Sequence, residues 1–132
     1  MANEAVCIET PTEFSRRTVA DGTAVPIGTI MELEEPNTVT LSDTSGNVFG
    51  GIAWEEHTAS EGLTEMTVAM NGVWDMKDAG AGVTMGGIVS VGGVNLIKQA
   101  TEAECVTGTV IGKCEETAEA GEVVRIRVGR VV

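Results

Sequence analysis

A unit near the middle of the chain recurs near its end, and that recurrence limits the fold more than any single motif. Ile52–Gly62 reads as an apolar strand end, an acidic turn and a closing glycine, followed by the alternating run Glu65–Met70. Ile111–Gly121 repeats this order in weaker form and leads into the alternating run Val123–Val128. Upstream, Val83, Met85, Gly86, Ile88, Val89, Val91 and Asn95 fall at a constant interval on Val25, Ile27, Gly28, Ile30, Met31, Leu33 and Asn37. Val124, Ile126 and Val128 fall on Met66, Val68 and Met70 at the same interval, and within the acidic turn it lengthens, pairing Glu115-Glu116 with Glu55-Glu56. Small insertions confined to turns are what a duplicated scaffold accumulates.

The repeated segments are strand-like. They are short, alternate apolar with polar residues, and are bounded by turn dipeptides such as Glu35-Pro36-Asn37 and Asn71-Gly72. Seventeen glycines among 132 residues supply the tight turns that many short strands need. With aromatics at only 3% and no tyrosine, the core must be built from Val, Ile, Leu, Met and Ala. The expected fold is all-β: a small barrel or sandwich built from two pseudo-repeated β-units, about residues 23–76 and 81–132, packed as one domain over 23–132. The one helix candidate is the short stretch Ala100–Cys105.

Residues 1–22 lack a sustained period, and Pro11 interrupts regular structure. Two readings stand, a frayed terminus and an extended N-terminal arm that orders on a partner. In the second, Val6, Ile8 and Phe14 are the apolar anchors and Arg16-Arg17 the polar ones.

A net charge of −12 argues against nucleic acid, whose phosphates call for a cationic surface, and equally against an anionic membrane. The acids are uneven. Residues 21–78 carry eleven of them against Lys77 alone, whereas 79–132 are close to neutral, so one half is expected to face solvent and the other a partner. In the last alternating run, Arg125 and Arg127 share one face opposite Val124, Ile126 and Val128, a candidate contact for an acidic partner. The N-terminus has no basic and apolar leader pattern, and no apolar run approaches a membrane span, so synthesis and assembly inside a cell are expected. Cys7, Cys105 and Cys114 have no metal-binding spacing; small core side chains are the expectation, with one disulfide as the alternative.

Few residues invite catalysis. The single histidine, His57, stands in an acidic turn, where a solvated loop residue is expected and a catalytic base is the alternative. The pairs Glu34-Glu35, Glu55-Glu56 and Glu115-Glu116 read as turn charges, since neighbours on a strand point to opposite faces, with weak cation binding as the alternative. Gly86-Gly87 and Gly92-Gly93 lack the lysine and helix start of a phosphate cradle. Neither an enzyme nor a cofactor is expected. Lys77, flanked by Met76 and Asp78 near the midpoint of the repeat, resembles in part the modified lysine of biotinyl and lipoyl carrier domains, which stands as an alternative function.

Pro26–Ile30, Gly51–Trp54, Asn71–Asp75, Met85–Val89, Ile111–Cys114 and Gly121–Val124 together resemble the capsid cement, or head decoration, proteins of tailed phages and related viruses. The resemblance covers about residues 23–130 and rests on turn glycines and buried aliphatics; where that family often has Gly-Asp, this chain has Gly86-Gly87. It implies a non-enzymatic virion protein of a bacteriophage or archaeal virus, made in the host cytoplasm. It would be bound to the major capsid protein on the outer capsid surface, as a homotrimer at three-fold or quasi-three-fold positions. Another virion β-protein, a tail or spike component, is the further alternative.

Overall fold

The clearest strands form where alternation runs between turn residues, as at Glu65–Ala69 and Val123–Val128. The computed structural model describes residues 2–43 and 46–129; the first residue of the expected arm and residues 44, 45 and 130–132 of the expected domain lie outside them. The described residues form eleven strands and one helix: β1 (Val6–Glu9), β2 (Phe14–Thr18), β3 (Ile30–Glu34), β4 (Thr38–Leu41), β5 (Phe49–Ala53), β6 (Glu65–Ala69), β7 (Gly72–Asp78), β8 (Ile88–Gly93), β9 (Leu96–Gln99), α1 (Glu102–Thr107), β10 (Gly112–Cys114) and β11 (Val123–Val128).

Two barrels follow the same strand order, but not at the expected bounds of 23–76 and 81–132: the first spans β2 to β6 (14–69) and the second β7 to β11 (72–128). In the order β2-β4-β3-β5-β6 the first repeat closes into a barrel, and β7-β9-β8-β10-β11 closes the second. Each has one parallel pairing, Thr18 with Thr38 and Lys77 with Leu96, in an otherwise antiparallel sheet. A single bridge at the same place in each repeat ties the β2–β3 or β7–β8 connection to the acidic turn, Val25 with His57 and Val83 with Ala118. The expected all-β, two-unit architecture is therefore present, with each unit closed upon itself. The register within the acidic turn differs by one residue from the expected pairing. Trp54 and Glu115 donate to the equivalent carbonyls of Thr67 and Arg125, so Glu116, not Glu115, is the counterpart of Glu55.

Val25, Met31, Val39, Ala53, Met66 and Val68 fill the first barrel. Each large aliphatic buried there contributes about 1.5–3 kcal/mol. Gly51 also faces this interior, where a Cβ would strike the Val68 side chain. The second barrel is lined by Met76, Val89, Val91, Ile97, Val124 and Ile126, and the same buried cluster takes in Ile30, Ile52 and Ala69 from the outer wall of the first. Those three are register partners across β3, β5 and β6, so one apolar row of the first barrel packs against the second. The core of the second barrel thus extends onto the outer wall of the first, whose own interior is a separate cluster.

Residues 2–22 of the expected arm are instead paired with both barrels. β2 is a stave of the first, paired with β6 from Phe14 opposite Ala69 to Thr18 opposite Glu65. β1 adds to β7 of the second. Between the barrels, buried Ala5 donates to the Gly28 carbonyl at 2.7 Å. Gly28 has φ +90°, and a Cβ there would overlap the Ala5 carbonyl, so only glycine admits the strap. Asn71-Gly72 makes no hairpin; it carries the chain from β6 to β7, that is, from one barrel to the other. Helix α1 forms near its expected place with a full capping box, in which the Thr101 hydroxyl accepts from the Glu104 amide and the Glu104 carboxylate from the Thr101 amide. Only Cys114 is a core side chain; Cys7 and Cys105 are exposed, and all three are free thiols.

Candidate partner-binding surface

Closing two barrels removes nearly every sheet edge, and β1 is the exception. It lies outside the ring, on the part of the β7 edge that β9 leaves open: β1 pairs with residues 73–75 and β9 with Lys77 and Asp78. Its other edge pairs with no strand among the described residues. All four of its residues are exposed, Val6 at 60% and Ile8 at 39%. Val6 and Arg125 flank Asp75 in one register row, so the expected apolar and basic contacts do share a surface across β1, β7 and β11.

The basic stripe is not bare. Arg127 pairs with Glu115 at 2.9 Å and lies 3.7 Å from Glu9, while Arg125 lies 3.9 Å from Asp75. The Glu115 carboxylate holds the Arg127 guanidinium above its ordinary range. Exposed, solvent-screened pairs of this kind hold the fold only weakly.

Phe14, Arg16 and Arg17 lie on β2 and alternate across the barrel wall. Outward-facing Phe14 ends the row Ile30–Ile52–Ala69 and packs against Trp54 with the rings tilted 55°, centroids 5.3 Å apart. Trp54 meets Trp74 of the second barrel edge-on at 6.1 Å. Trp74 itself is buried, its indole N–H donating to the Asn71 carbonyl. Three of the chain's four aromatic rings therefore form one ladder across the junction, open to solvent at Phe14. Arg16 beside it donates to Glu55 at 2.7 Å and Thr67 at 3.0 Å. Arg17 shares a row with buried Met66, and its guanidinium reaches Asn37 at 2.6 Å. It is a wall residue rather than a free contact.

His57 is not a solvated loop residue. It is 2% exposed, with Nδ1 2.6 Å from the Thr23 carbonyl and Nε2 2.7 Å from that of Leu63. Those two bonds raise its pKa, with smaller help from Asp21 and Glu55 and against the effect of burial. The carboxylates around it serve turns. Glu55 accepts from the Thr67 amide at 2.8 Å, and its counterpart Glu116 from that of Arg125 at 3.0 Å. Among the described residues, no group of His, Cys, Asp and Glu is arranged to hold a metal ion.

Lys77 lies inside β7, half-buried and paired on both sides with Val123 and Leu96. A swinging prosthetic arm needs an exposed hairpin tip, so the carrier alternative loses its geometric basis.

Two aspartates, Asp78 and Asp21, have structural roles that their place in the sequence does not announce. Buried Asp78 gathers the amides of Gly80, Gly82 and Gly121 on one carboxylate oxygen at 2.8–3.1 Å, clamping two glycine turns together. Asp21 holds Gly62 in the same manner at 2.8 Å. The only available signal was an aspartate in a glycine-rich turn at similar places in both repeats.

No family model matches the chain, and no curated protein does. Among solved structures, the head fiber gp8.5 N base of bacteriophage phi29 is similar. Its TM-score is 0.54 at 15% sequence identity, over 90% of this chain and 95% of that one. At that identity the likeness is one of fold.

Proposed function

We propose that this protein is a non-enzymatic structural component of a phage virion, seated on the outer face of the capsid as a decoration protein. The observation that carries the proposal is the two-barrel architecture, shared along nearly the whole of both chains with a protein described as the base of a head fiber. The exposed edge of β1, with Val6 and Ile8 outward and Arg125 in the adjoining row, is the surface that docks on the major capsid protein. Strand addition there would satisfy backbone groups that the barrels leave unpaired. A homotrimer at three-fold or quasi-three-fold positions would multiply a small contact per copy by avidity. A second reading, favoured by the same likeness, makes the chain the base of a projecting fiber rather than a free-standing cement.

Co-sedimentation with purified heads of the virus that encodes the chain tests this. The native protein should saturate the heads, while Val6→Glu with Ile8→Glu, both at exposed positions, should fold normally and bind at least tenfold more weakly. Unchanged saturation by the double variant would refute β1 as the docking edge, and no binding by the native protein would refute decoration. Sedimentation equilibrium reads the trimer directly.

A further inference from the structure

The second repeat supplies a control for the first. Val83 and Ala118 form the bridge that Val25 and His57 form in the first barrel, so the same junction closes in one case around a methyl group and in the other around an imidazole. At the first junction the Val25 and His57 amides donate reciprocally to each other's carbonyls at 2.8 and 2.9 Å, and the Ser60 amide donates to the Asp21 carbonyl at 2.7 Å. The His57 ring then spans the gap that remains, from Thr23 in the β2–β3 connection to Leu63 in the β5–β6 loop.

Carbonyl oxygens only accept hydrogen bonds, and a neutral imidazole has one donor and one acceptor nitrogen. Serving Thr23 and Leu63 at once therefore requires both nitrogens to carry protons. In a neutral ring one lone pair would face a carbonyl lone pair at hydrogen-bond distance within a buried site. The charged groups around it favour the cation. Asp21 acts from the β2–β3 connection and Glu55 from the ring's own loop, with exposed Glu56 and Glu61 further along that loop and Glu65 opening β6. Of the two cations on β2, Arg16 is bonded to Glu55 and Arg17 to Asn37.

We infer that His57 is a proton-operated clamp: as imidazolium it holds the loop end of the first barrel shut, and its deprotonation releases one of the two loops while the second barrel stays closed. On release the proton passes to solvent, and either the Thr23 or the Leu63 carbonyl loses its donor. The surface that loosens includes Leu63, 56% exposed, and Ile27, 58% exposed, on the adjoining connection. Because the bound form is the protonated one, the stabilisation is complete below the ordinary histidine pKa. It disappears as pH rises through the raised one.

One histidine in the chain makes the test unambiguous. Imidazole nitrogen NMR of the full-length protein at neutral pH should show both ring N–H groups, lost only at a pH above the ordinary histidine titration. Denaturant unfolding of the native chain and of His57→Gln, between about pH 6 and 9 around the ordinary histidine value, should differ most at the acid end and converge at the alkaline end. A neutral tautomer at pH 7, or a native-minus-variant difference that does not change with pH, would overturn the clamp. Should His57→Gln fail to fold, the spectrum of the native protein decides alone.

Discussion

Asn95, in the β8–β9 turn of the second barrel, accepts the backbone N–H of Ile30 in the first at 2.9 Å. Its side chain also donates to the Ala2 carbonyl at 3.0 Å, and its own amide donates to Ser42 Oγ at 3.0 Å. The residue is fully buried with φ 54°; its counterpart Asn37 has φ 46° and lies exposed on the equivalent turn. Both repeats use asparagine for the left-handed turn, but only one turn meets the other barrel.

Asn95→Gly keeps the backbone conformation and removes the side-chain bonds. With the Ile30 N–H left buried and unpaired, unfolding free energy should fall by about 1–3 kcal/mol. Asn37→Gly, which gives up only exposed bonds to the Arg17 guanidinium and the Arg16 carbonyl, should cost less, about 0.5–1 kcal/mol. Denaturant titration of the two variants checks the contrast, and equal losses would mean that Asn95 does not join the barrels.

Asp78→Ala takes the carboxylate from three amides, one of them across the gap at Gly121. The expected cost is about 1.5–3 kcal/mol for hydrogen bonds to a charged group. Asp21→Ala, which releases only the Gly62 side-chain bond, should cost less. Amide exchange at Gly80, Gly82 and Gly121 should accelerate together in the first variant.

Glu104 gives an acid dependence. Burial pushes its carboxyl up, but the Thr101 amide, the Lys98 ammonium at 2.9 Å and the Ser90 hydroxyl together overbalance burial and hold it below the ordinary glutamate value. The stabilisation is therefore present above the ordinary pKa and is lost as pH falls through the lowered one. Glu104→Gln should be less stable than the native chain at neutral pH, and the difference should vanish in acid. A difference that persists in acid would show that the carboxylate's charge is not what docks α1.

Truncation separates the two strands of the N-terminal segment. Removing residues 2–9 takes away β1 and the Ala5 strap but leaves ten barrel staves. Removing residues 2–16 also takes most of β2 and opens the first barrel. The shorter deletion should stay resistant to proteolysis and the longer one should be digested through residues 17–70.

Much of the fold was legible because β6 and β11 carry clean alternation, Met66 and Val68 in one, Val124, Ile126 and Val128 in the other. β2 was not, for a physical reason. Its inward positions are Ser15 and Arg17, and its apolar residue, Phe14, faces outward onto Trp54. A stave whose interior is filled by its neighbours shows no alternation of its own. Likewise, the burial of His57 depends on Thr23, distant along the chain, so its surroundings read as an acidic turn. Of the candidate contacts, Val6, Ile8, Arg125 and Arg127 converge on one side of the second barrel, Phe14 and Arg16 lie at the junction, and Arg17 turns into the first barrel's wall. The pairing of β1 with β7 decides this arrangement, and short strands without turn signals leave such pairings unwritten.

Electron cryo-microscopy of virions carrying this chain tests the central claim most directly. The account predicts two-barrel density on the outer face of the head shell, with β1 at the contact with the major capsid protein. Density confined to the tail, or heads with no such density despite the chain being present in the preparation, would contradict it.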